Sequence, residues 1–305
     1  MSIEWTWLAR REPREVADQG LELSGDGGCR VLLLHGLTGC PAELGYVAHA
    51  LRTRGRFHVS CPRLVNHGQP LAVLARTTWR ELADSARQAF VKARCAALAE
   101  GRPLVVGGLS LGAVLSLLLA AEFPTDVAGV ICLAPTLFYD GWSVPWYQRL
   151  LPLAYYTPLK HFAYFREQPP YGLRDEALRQ RVAALYCATR LEDHSQTAKS
   201  GYAHFPVRLF CEMRHLIKHC KRALAEVRAP LLVVQAAHDD VTGPRNAEFI
   251  LQRVASQRRE LLLLEQSYHL VCADLERSRV AERMLRFCAS LAGQRTNASH
   301  AAVPA

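Results

Sequence analysis

The chain has 305 residues, half of them hydrophobic, and a net charge of +9. That size can bury a large core without metals or disulfides, and no apolar run approaches the roughly 20 residues that cross a bilayer. The first residues, MSIEWTWLARREPREV, contain no apolar signal core, and the ten cysteines follow no C-x-x-C or regular spacing; the expectation is a cytoplasmic protein with reduced thiols.

Elements alternate along the chain. Cys29–Leu34 is a short apolar strand, and Pro41–Arg54 has helical spacing, with Leu44, Val47, Ala48 and Leu51 on one face. Phe57–Cys61 is a second strand. Thr77–Ala99 is a long helix carrying Trp79, Leu82, Ala83, Ala86 and Phe90 at three-to-four spacing. Pro103–Gly108 reads as a strand, Leu111–Glu122 as a helix and Val127–Ala134 as a strand. After a gap come Pro230–Ala236 (strand), Pro244–Gln257 (helix), Glu260–Leu264 (strand) and Asp274–Ala292 (helix). Continuous apolar strands alternating with helices predict an α/β fold whose mostly parallel sheet is flanked by helices on both faces.

Residues 136–228 interrupt that rhythm. They are rich in aromatics and prolines, with helical pieces at Trp146–Tyr155, Arg174–Ala188 and Val207–Glu226 and no clear strand. They read as a helical insertion, or lid, between two sheet strands. The core is then residues 1–135 and 229–292, and residues 293–305 form a polar tail expected to fray. The insertion holds fourteen Lys/Arg against eight Asp/Glu, a surplus of six within the total of +9. A solvated basic surface explains that, as does attraction to an anionic partner such as a lipid surface, an acyl-carrier protein or coenzyme A. Nucleic acid is not expected, because no basic and aromatic run forms a recognised module.

Chemistry concentrates at strand ends. Gly108-Leu109-Ser110-Leu111-Gly112 fits G-x-S-x-G, with an apolar strand before it and a helix after it. A sharp strand-to-helix turn strains the serine backbone, exposes its hydroxyl at the carboxyl edge of the sheet and aims the helix N-terminus at a developing oxyanion. A serine needs a base. Asp239 and Asp240 follow the strand PLLVVQA, and His269 follows ELLLLEQ; all three candidates fall on the catalytic edge of an open α/β sheet. Periodicity does not decide between the two aspartates. His238 is a rival base, but it adjoins the acid and would struggle to reach both partners. The oxyanion donors expected are the backbone amides of Leu111, directly after the serine, and of Leu37 in the His35-Gly36-Leu37 turn.

These stretches together resemble α/β-hydrolases of the bacterial carboxylesterase and monoacylglycerol-lipase type. The resemblance is carried by HGLTGCPAEL at 35–44, CPRLVNHG at 61–68, Trp79, GLSLGAVLSL at 108–117, VVQAAHDDVTGP at 233–244 and EQSYHLVCADLER at 265–277. It implies the α/β-hydrolase fold with an inserted lid, no cofactor, hydrolysis of apolar acyl esters or monoglycerides through an acyl-enzyme at Ser110, and Asp239 as the acid orienting His269. Two positions depart from the pattern. Asn66-His67-Gly68 stands where Gly-His-Gly is usual, and asparagine tolerates left-handed backbone. Tyr268 stands where a small residue is usual, and it either crowds the site or lines it. A thioesterase or acyltransferase acting on acyl-CoA or acyl-carrier substrates is the alternative with the same triad.

Other motifs are weaker. His215 and His219 lie four apart on a predicted helix, but no H-E-x-x-H accompanies them, so a basic helix face is expected and no metal. His35 is expected to order its loop by hydrogen bonding. The aromatic cluster Phe138–Phe165 is expected to fill the lid or to line an acyl groove.

Overall fold

The structure, a computed structural model, describes residues 3–5, 20–144, 157, 163–188 and 201–300, with side chains given for residues 20–144, 157, 163–187 and 201–292. Its strands are β1 (Ile3–Trp5), β2 (Leu21–Leu23), β3 (Arg30–Leu34), β4 (His58–Cys61), β5 (Leu104–Leu109), β6 (Val127–Leu133), β7 (Ala163–Arg166), β8 (His204–Pro206), β9 (Leu231–Ala236) and β10 (Arg259–Leu264). Its helices are α1 (Gly45–Gly55), α2 (Leu71–Leu74), α3 (Trp79–Ala99), α4 (Leu111–Glu122), α5 (Glu176–Ala188), α6 (Val207–Ala223), α7 (Arg245–Arg253) and α8 (Arg277–His300).

Seven strands form the main sheet in the order β10-β9-β6-β5-β3-β4-β2, all parallel except β2, which runs antiparallel to β4. Alternation along each strand divides the core in two. Leu32, Leu34, Val106, Val130 and Val233 face α3, α4, α6 and α7, while Val31, Leu33, Val105, Ile131 and Val234 face α1 and α8. This explains why β3, β5 and β9 are buried at every position and read as unbroken apolar runs. The long α3 is started by a capping box: Thr78 Oγ1 accepts the Glu81 N–H, and Glu81 Oε2 accepts the Thr78 N–H at 2.8 Å.

The segment between β6 and β9 holds the expected helices over Glu176–Ala188 and Val207–Ala223, and also strands where none was expected. Besides α5 and α6 it carries β7 and β8, which pair antiparallel with each other, and β7 pairs with β1. Strands of three or four residues among scattered aromatics leave no usable alternation. The predicted helix Trp146–Tyr155 lies outside the described residues. The edge strand β2 was not foreseen either, and α8 continues through His300 instead of ending at Ala292.

Candidate active site

Ser110 stands between β5 and α4 with φ 55 and ψ −108, a left-handed conformation costly for a residue with a side chain. The strain is imposed by packing. A Cβ at Gly112 would stand 1.9 Å from the Leu34 carbonyl oxygen, and one at Gly108 2.4 Å from the same atom. Only glycines let α4 close this tightly on β3. The Ser110 hydroxyl shares a 2.8 Å hydrogen bond with Thr136 Oγ1, from a fully buried threonine just past β6. Among the described residues, its partner is Thr136 and not His269.

The two aspartates take different work. The Asp239 carboxylate lies 3.1 Å from His269 Nδ1 through both oxygens. Oδ1 also accepts the N–H groups of Val241 and Thr242 at 2.8 Å, and Oδ2 accepts Gln235 Nε2 at 3.1 Å and Thr242 Oγ1 at 3.2 Å. A carboxylate only accepts here, so the ring proton sits on Nδ1 and Nε2 is left as a base. Asp240 instead binds backbone: Oδ1 accepts the His269 N–H at 3.2 Å and Oδ2 the Gly172 N–H at 3.1 Å. Burial opposes charging the His269 ring, but Asp239, Asp240 and Glu43 together outweigh it and raise the imidazole pKa above its ordinary value.

The turn after β3 is braced by two buried histidines. His35 Nε2 accepts the Leu64 N–H at 3.0 Å while Nδ1 donates to the Gly36 carbonyl, so this ring orders its loop as expected. His67 Nε2 faces the Leu37 carbonyl at 2.6 Å. Asn66 adopts φ 61, and the turn survives the missing glycine. Glu43 braces the same turn, its Oε2 accepting the Gly36 N–H at 3.1 Å. The Leu111 amide opens α4, in the first turn that has no intrahelical acceptor. Both Leu37 and Leu111 are buried.

Ser110, His269, Glu43 and the turn at Leu37 line one cavity of about 330 Å³, whose other walls include Tyr139, Phe205 and Phe210. Glu167 and Tyr186 also line it. Burial pushes the carboxyl groups up, to about 7 for Glu43 and about 8 for Glu167. Sequence reasoning missed Glu43, Glu167, Thr136 and Thr242. Only Thr136 left a signal, as a hydroxyl two residues beyond a strand end on the catalytic edge.

The family described as serine aminopeptidase, S33, matches residues 29–276. The chain belongs to that family. It is 26% identical over 270 residues to a thermostable monoacylglycerol lipase of Bacillus sp. (strain H-257), covering 88% of this chain and 93% of the relative. It is 25% identical over 270 residues to a carboxylesterase of Bacillus subtilis (strain 168), covering 87% and 94%. A solved structure from work on LipS and LipT, two metagenome-derived lipolytic enzymes, superposes with a TM-score of 0.71 at 25% identity, covering 88% of this chain and 96% of that one. The fold is the α/β-hydrolase fold.

Other residues of this S33 hydrolase lie away from the cavity. His238 is exposed, and its carbonyl accepts Trp142 Nε1 at 3.0 Å. Tyr268 neither crowds nor lines the cavity: its ring packs against Trp142, 5.6 Å between centroids, and beneath the Arg174 guanidinium. His219 stacks on Trp79. Among the described residues no group of three or more His, Cys, Asp and Glu side chains is arranged to hold a metal, and no helix is long and apolar enough to cross a membrane. Of the aromatic cluster, Tyr139 lines the cavity, while Phe138 turns away onto Phe249.

Proposed function

We propose that this protein is a serine hydrolase that cleaves carboxylic esters of apolar acyl chains, carboxylesterase- or monoacylglycerol-lipase-like, through an acyl-enzyme on Ser110. The observation that carries the reading is the strained Ser110 in the wall of one largely apolar cavity with the Asp239-oriented His269. On substrate binding, Ser110 exchanges its bond to Thr136 for one to His269 Nε2. The ring takes the hydroxyl proton as Oγ attacks the acyl carbon, and returns it to the departing alcohol. The amides of Leu37 and Leu111 hold the oxyanion. Water, deprotonated by the same ring, then releases the acid. Residues 136–228 act as a lid, and the acyl chain lies against Tyr139, Phe205 and Phe210. The thioester reading gains no support from the relatives, which carry the names of a lipase and a carboxylesterase.

The test is turnover of p-nitrophenyl esters of graded chain length by the wild type and Ser110→Ala. Loss of turnover in the variant, with fluorophosphonate labelling confined to Ser110, is expected; retained turnover overturns the reading.

A further inference from the structure

The outward face of α6 is an unbroken basic surface. Arg214, Lys218 and Arg222 are exposed on successive turns, with Lys221 half-buried beside them. The one acid of this helix, Glu212, is buried and accepts the Trp79 N–H at 3.0 Å. Arg245 and Arg253 of α7 extend the same surface, and that helix contributes one acid, Glu248. Among the described residues none of these six cations forms an ion pair. Aromatic rings take the place of acids: Lys221 Nζ lies 3.5 Å from the centre of Phe138, Arg245 Cζ 4.2 Å from the same ring, and Arg253 Cζ 3.6 Å from Phe249. Burial lowers the Lys221 pKa, and Arg245, Arg253 and Arg214 push it further down, so the positive charges crowd one another. Elsewhere on the molecule arginines are routinely paired, as in Arg87 with Glu122 and Arg283 with Glu260.

We propose that this face of α6, with Arg245 and Arg253, docks the protein on an anionic phospholipid surface. The complementarity is one of charge spread along a helix of 17 residues, about 25 Å. It has no apolar centre of the kind that anchors a protein partner, whose interfaces are depleted in lysine and charge at the core. Phe210, one turn before Arg214 on the adjoining side of the same helix, forms part of the wall of the catalytic cavity. Docking therefore brings a wall of that cavity against the phase in which an ester with an apolar acyl chain dissolves. The choice of a lipid surface over other polyanions rests on the function proposed above.

Sedimentation of the full chain with phosphatidylcholine vesicles, with and without phosphatidylglycerol, tests this at low and high salt. Binding to the phosphatidylglycerol vesicles that salt abolishes is expected, with none to phosphatidylcholine alone. Each basic residue near an anionic surface contributes enough that Arg214→Gln/Lys218→Gln/Arg222→Gln weakens partitioning about a hundred-fold. Those side chains lie outside the cavity, so the triple variant retains wild-type turnover of a dissolved short-chain ester and the wild-type melting temperature. Ser110→Ala binds vesicles like the wild type; vesicle binding without ester turnover would remove the proposed function and leave this inference standing. Equal binding to both vesicle types, no binding at low salt, or a triple variant that binds like the wild type overturns it. So does retention on heparin without vesicle binding, which would make the face a reader of another polyanion.

Discussion

Replacing Asp239 by asparagine alters one atom and, by this geometry, the protonation of another residue. Oδ1 of Asp239 accepts two backbone N–H groups at 2.8 Å, so the asparagine oxygen must take that place. Its NH₂ then occupies the Oδ2 position, 3.1 Å from both Gln235 Nε2 and His269 Nδ1. Gln235 can turn, since its Oε1 is buried without a partner, although it then loses the 2.7 Å bond from Nε2 to the Thr242 carbonyl. The asparagine oxygen is also 3.1 Å from Nδ1 but already accepts two N–H groups, so the new NH₂ favours the ring tautomer that carries its proton on Nε2 and presents a lone pair at Nδ1. That tautomer cannot receive the Ser110 proton. The expected loss is about 10⁴ in kcat, or ~5.5 kcal/mol of transition-state stabilisation, against a folding cost of about 1–3 kcal/mol for the disturbed buried donors. Steady-state hydrolysis of a soluble p-nitrophenyl ester, with a thermal melt to confirm folding, measures both. A folded variant within tenfold of wild-type kcat would refute the orienting role of Asp239.

Thr136→Val removes the hydroxyl partner of Ser110, a bond worth about 0.5–1.5 kcal/mol; if Ser110 is the nucleophile, fluorophosphonate labelling should speed up by a few-fold, while Thr136→Ser keeps the wild-type rate. Gly112→Ala forces a Cβ to 1.9 Å from a backbone oxygen and should abolish soluble folded protein, whereas Gly45→Ala, at φ −54 with nothing within 4 Å, should raise stability by about 0.5–1 kcal/mol in urea unfolding. Glu167 has its folded pKa raised from 4.5 to about 8, so between those values the folded state holds a proton that the unfolded state has lost. Stability therefore falls as pH rises through that window, and Glu167→Gln should flatten the slope of the urea midpoint against pH.

The parallel sheet was legible because β3, β5, β6 and β9 are covered on both faces, so burial writes itself as unbroken apolar runs. The same reasoning misjudges β10: its ELLLL run also looks fully buried, yet β10 is an edge strand that leaves Leu261 and Leu263 exposed. The turn at Ser110 was legible because two glycines and a strand-to-helix switch leave a local signature. Asp239 and Asp240 could not be separated from sequence, since both follow the same strand; what divides their roles is which one reaches the ring and which the backbone. Glu43 and Glu167 were invisible because 124 positions separate two carboxyls that meet only through folding.

Asp240 and Asp274 tie the inserted segment directly to the backbone of the His269 loop. Through its two oxygens Asp240 joins the N–H of Gly172 to the N–H of His269, and the Leu270 N–H returns a 2.8 Å bond to the Gly172 carbonyl. Asp274, fully buried, accepts the N–H groups of Arg174 and Asp175 at 2.8 Å and of Tyr268 at 2.7 Å. Residues 172–175 are thereby tied to residues 268–270 by six backbone donors and two carboxylates. Buried acceptors satisfied this fully are costly to disturb, so a shift of the 172–175 segment large enough to widen the cavity would carry the His269 backbone with it. Under the function proposed above, widening of the cavity at residues 172–175 and alignment of the imidazole would be linked by the same hydrogen bonds.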